Sequence, residues 1–99
     1  MMDRRRHTRL SVEVAGSYRA PAGRHRTVFV SQISATGCRL SEGECQLATG
    51  ERIELSLGPV GPMNATVRWC AEHDAGVEFD VPLESAIVSY FAAFCPRAA

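Results

Sequence analysis

Lysine is missing from this sequence: all eleven basic residues among its 99 are arginine. The formal net charge is zero, so the general positive charge expected of a nucleic-acid binder is missing too. No apolar run approaches the ~20 residues that span a bilayer. No apolar stretch follows the basic N-terminus, so no secretory signal is read, and a cytoplasmic location is expected. The four cysteines, Cys38, Cys45, Cys70 and Cys95, include no Cys-x-x-Cys pair. Zinc sites usually show such close pairs, so no metal is expected and the thiols should pack reduced, as small hydrophobes. His7, His25 and His73 are scattered, and no Ser/His/Asp or Cys/His spacing argues for catalysis. No enzymatic activity and no cofactor are expected. Internal repeats and low-complexity tracts are also absent.

What remains is one small domain. An apolar share of 45% and a charged share of 22% are ordinary for a globular chain. The neutral balance hides an asymmetry: Arg4, Arg5, Arg6 and Arg9 crowd the first nine residues, opposed there only by Asp3. Such a local patch on a neutral protein suits one compact anionic ligand rather than long nucleic acid. Residues 1–9 lack apolar periodicity and read as a flexible arm; residues 10–99 read as the domain.

From Leu10 onward, apolar residues alternate with polar ones. Leu10, Val12 and Val14 form one such series, Ile53, Leu55 and Leu57 another, and Ala65, Val67 and Trp69 a third. Period two marks half-buried strands. Further strands are expected over Thr27–Ile33, Cys38–Leu40 and Val77–Phe79, with turns at Ala20–Gly23, Ser34–Gly37, Ala48–Glu51, Gly58–Pro62 and His73–Gly76. After Pro82 the period changes. Leu83, Ile87, Tyr90, Phe91 and Phe94 are spaced by three and four, which predicts a helix over about 83–95, ended by Pro96. About six strands and one helix suggest a barrel or sandwich. Trp69 is expected in the core or in a seam under the helix. Arg24, Arg26 and Arg68 read as solvent-facing; Arg39, just after a turn, reads as a solvent-facing strand residue rather than as a further phosphate contact. So small a barrel has little room for Tyr90, Phe91 and Phe94 together, which leaves an apolar patch and a homodimer contact open.

Two constellations carry chemistry. Arg5-x-x-x-Arg9, with Arg4 and Arg6 alongside, offers planar guanidinium forks. These can hold phosphate in bidentate fashion, read the O6/N7 edge of guanine, or stack on a base. Gln32-x-Ser34-x-x-Gly37 sits at a strand-to-turn junction, where an amide, a hydroxyl and a close backbone approach could serve one ligand. Either one alone would pass as a solvated tail or an ordinary polar turn.

Together, and in this order, they resemble the PilZ domain family, which pairs an Arg-x-x-x-Arg arm with an [Asp/Asn]-x-Ser-x-x-Gly turn. Gly50-Glu51-Arg52-Ile53-Glu54-Leu55 is similar to the family's lead into its middle strand. Val67-Arg68-Trp69 and Gly76-Val77-Glu78-Phe79 are similar to its closing hairpin. The resemblance implies an all-β, six-stranded antiparallel barrel with a C-terminal α-helix, and cyclic diguanylate (c-di-GMP) as the ligand. It implies a receptor that relays occupancy of this second messenger to a partner protein or domain. It assigns ligand contacts to Arg4, Arg5, Arg9, Gln32, Ser34 and Gly37.

Gln32 departs from the pattern, standing where Asp or Asn is usual. Its extra methylene adds a rotor to order, so weakened binding is expected. Two alternatives follow. One is a protein of this fold that does not bind the nucleotide and acts through protein contacts. The other is a small nucleic-acid-binding barrel, disfavoured by the neutral charge and the lack of an aromatic platform.

Overall fold

The alternating segments become six antiparallel strands in a computed structural model that describes residues 9–96. They are β1 (Leu10–Arg19), β2 (His25–Ile33), β3 (Gly37–Ser41), β4 (Arg52–Leu57), β5 (Val60–Cys70) and β6 (Asp74–Phe79). A short 3-10 turn, Pro21–Gly23, joins β1 to β2. The strands close into a barrel in the order β1-β2-β3-β6-β5-β4. Closure leaves no unpaired sheet edge.

Alternate residues fill the interior, with breaks where the strand register shifts. Val12, Val14 and Tyr18 of β1, Val28, Val30 and Ile33 of β2, and Ile53, Leu55 and Leu57 of β4 are buried. Cys38 and Leu40 of β3, Ala65 and Val67 of β5, and Ala75, Val77 and Phe79 of β6 complete the lining. Apart from the aromatic Tyr18 and Phe79, this lining is made of medium and small side chains, which suits a barrel narrow enough for side chains to fill. Glu42, just past β3, accepts a hydrogen bond from the Tyr18 hydroxyl at 3.2 Å and pairs with Arg26 at 3.3 Å. Burial, then the Glu42 carboxylate, pushes the Tyr18 phenol up to about 12.

The helix α1 (Ser85–Phe94) is shorter than the periodicity suggested. Leu83 lies before it, outside the helix, and donates its N–H to the Ala35 carbonyl at 2.7 Å. Of the three helical aromatics only Phe91 enters the core; Tyr90 and Phe94 remain exposed, their rings 5.2 Å apart. The end of the helix is fixed to β1, where the Glu13 N–H donates to the Cys95 carbonyl at 2.9 Å and Val12 bridges Pro96. Among the described residues, no helix is long and apolar enough to cross a membrane. All four cysteines are free thiols. The arm expected over residues 1–9 lies, Arg9 excepted, outside the described residues, and Arg4 and Arg5 with it.

Candidate functional site

Cross-strand register builds the site on the outer surface of the barrel. Gln32 of β2 stands opposite Arg39 of β3, Arg39 opposite Gly76 of β6, and Gly76 opposite Trp69 of β5. These four residues form one row across four strands. The row beside it, Ile33, Cys38, Val77 and Val67, points inward.

Two bulges set this arrangement. Between Val30 and Gln32, β2 carries an extra residue relative to β3; between Val67 and Trp69, β5 carries one relative to β6. A bulge breaks the period of two and re-aims the side chain that follows. Val67 is therefore buried while Arg68 and Trp69 both face outward, Trp69 at 42% exposure. The expectation of a core tryptophan fails for that reason. The expectation of a solvent-facing Arg39 is met only in part, because its side chain belongs to the same wall.

An open cavity of about 580 Å³ lies over the row, within the ~300–1,000 Å³ usual for small-molecule sites. Arg9, Gln32, Ser34 and Gly37 all line it, together with Thr36, Arg39, Arg68 and Trp69. The last residue of the arm and the glycine-bearing turn thus share one side of the barrel. Among the described residues no carboxylate pairs with Arg9, whereas Arg68 pairs with Glu78 and Arg39 with Asp74.

The turn is built by its own polar groups. The Ser34 N–H donates to the Gly37 carbonyl at 2.9 Å, and the Thr36 N–H donates to Ser34 Oγ at 3.3 Å. Ser34 Oγ donates in turn to the Gly37 carbonyl at 3.3 Å, and the residue is only 7% exposed. Its hydroxyl shapes the bend from which the cavity wall rises. Gly37 does not use a left-handed conformation. A Cβ there would lie 2.2 Å from the Val77 carbonyl oxygen, so glycine is needed to let β6 approach. Cys38 lies behind the wall, where burial pushes its thiol far up and makes it a poor nucleophile.

From sequence Arg39 reads as solvent-facing rather than as a phosphate contact, and Trp69 as core or seam; the structure puts both on the cavity wall. Arg39 Nη2 donates to Asp74 Oδ2 at 2.5 Å, and its guanidinium carbon lies 5.7 Å from the Trp69 ring centroid. Asp74 also accepts from Ser41 Oγ at 2.8 Å. The Arg39 guanidinium, then the Ser41 hydroxyl, holds the Asp74 carboxyl below the usual range. The signal available in the sequence was the spacing of Arg39 two residues after Gly37. Among the described residues no cluster of three or more His, Cys, Asp or Glu could hold a metal ion.

The sequence matches the family model of the PilZ domain over residues 3–95. The chain belongs to the PilZ domain family. PilZ domains are binding and effector modules. No curated protein matches this PilZ domain's sequence. Its fold is similar to that of the Bacillus subtilis inhibitor of motility (MotI/DgrA), with 14% identity and a TM-score of 0.72. The match covers 93% of this PilZ domain and 50% of that chain, so the sequence here spans half the length of its structural neighbour.

Proposed function

We propose that this PilZ domain binds cyclic diguanylate in the cavity over the Gln32–Trp69 row and relays occupancy to a partner protein or domain. The observation that carries the reading is that one cavity gathers Arg9, Gln32, Ser34 and Gly37 from two segments distant in sequence. Arg4, Arg5 and Arg9 hold the phosphates and guanine edges. The Gln32 amide meets a guanine, and the turn through Ser34 and Gly37 keeps the backbone close. Trp69 offers its exposed indole as a stacking surface, and base–aromatic stacking supplies ~1–3 kcal/mol per base. The relay has a structural route, because the turn bonds to Leu83 ahead of α1 while β1, next to the arm, bonds to its end.

Calorimetry on the purified chain tests this reading. Removing one charge-assisted contact costs ~1.5–3 kcal/mol, roughly ten- to hundredfold in affinity. Arg5→Ala and Arg9→Ala are each expected to weaken cyclic diguanylate binding by that factor, and Gln32→Asp to match or tighten it. Unchanged affinity in both arginine variants contradicts the site. No heat and no thermal shift at saturating nucleotide would instead favour a PilZ domain acting through protein contacts alone.

A further inference from the structure

The motif residues do not account for Arg39. It stands mid-row on β3 between Gln32 and Gly76, lines the cavity, and lies over the face of the Trp69 indole. Among the described residues, only its Nη2 meets a carboxylate, leaving donors on Nε and Nη1 of a five-donor fork. Asp74 is itself fixed from the other side by the Ser41 hydroxyl. The chain Ser41–Asp74–Arg39 therefore runs along the junction of β3 and β6 and ends in the cavity.

We propose that Arg39 is a ligand-contacting residue of this site and that Asp74 is its positioning residue. This rests on the reading of the cavity as a cyclic dinucleotide site and deepens it. The free donors of Arg39 meet an anionic phosphate oxygen or a guanine edge beside the base that stacks on Trp69. Asp74 engages one nitrogen and so fixes the plane of the fork before the ligand arrives. A guanidinium held this way loses less freedom on binding than a free one. The alternative physics is competition, in which the Asp74 carboxylate must be displaced before Arg39 can serve the ligand. The two make opposite statements about removing the Asp74 charge.

The test is a thermodynamic cycle by calorimetry on the full chain with cyclic diguanylate, alongside thermal melting. Arg39→Ala is expected to weaken binding about ten- to hundredfold, the factor for one charge-assisted contact. Asp74→Asn keeps the shape and the Ser41 bond but removes the charge; it is expected to weaken binding severalfold. In Arg39→Ala the further change Asp74→Asn is expected to cost nothing more, because Asp74 acts through Arg39. Arg39→Lys is expected to recover only part of the loss, since an ammonium lacks the fork. Should Asp74→Asn not fold, Ser41→Ala loosens the same carboxylate and is expected to weaken binding in the same direction.

Wild-type binding with Asp74→Asn unchanged or tighter would overturn this inference while leaving the cyclic diguanylate reading intact. Equal losses from Asp74→Asn with and without Arg39 would overturn it as well. Failure of the wild type to bind would overturn both.

Discussion

At the scale of single residues, the site depends on two glycines with different neighbours. A Cβ at position 37 would meet the Val77 carbonyl, which is backbone and cannot yield. A Cβ at position 76 would meet Trp69 Nε1 at 2.0 Å, and an exposed side chain can swing aside. Gly76→Ala is therefore expected to keep the melting temperature near that of the wild type. It should shift the fluorescence of the single tryptophan to the red and weaken nucleotide binding. An unaltered emission spectrum would contradict the seat assigned to the indole. The sequence singles out Ser34 and Gly37, and both line the cavity, but what their side chains and backbone do there was not legible. Ser34 uses its hydroxyl on the bend, and Gly37 makes room for β6. Neither fact is visible until a distant strand is placed beside them.

At the scale of elements, the alternation in β1 and β4 was plain because those residues keep their period of two. The same rule misled at Trp69. The extra residue at the β5 bulge turns an apparent core position outward, and bulges leave no mark on hydrophobic periodicity. The helix was legible as an element but not in its depth of burial. One aromatic, Phe91, anchors it to the barrel, and Tyr90 and Phe94 stay in solvent. Phe91→Ala should thus cost ~3–5 kcal/mol in chemical denaturation, while Phe94→Ala, at 74% exposure, should leave the midpoint nearly unchanged. Equal costs for the two would show that the helix is held differently.

At the scale of the molecule, the proposed site depends on where two remote segments meet. Sequence order and spacing pointed to that meeting; the antiparallel pairing of β1 with β2, which sets Leu10 opposite Ile33, is what realises it, and β3, β6 and β5 extend the wall beside β2. Two backbone hydrogen bonds flank α1: Leu83, two residues before it, bonds to Ala35 of the turn, and Cys95, just after it, bonds to Glu13 of β1. The helix that carries the exposed Tyr90 and Phe94 is thus bonded, on one side, to a residue that lies between the cavity-lining Ser34 and Thr36. The most direct measurement is a nitrogen-15 NMR titration of the chain with cyclic diguanylate. Its lone tryptophan gives one indole N–H signal on the cavity wall. The account expects the large shifts at that indole and at the amides of Gln32, Arg39 and Gly76. Saturation with no change at those four residues, or with shifts confined to the opposite side of the barrel, would contradict it.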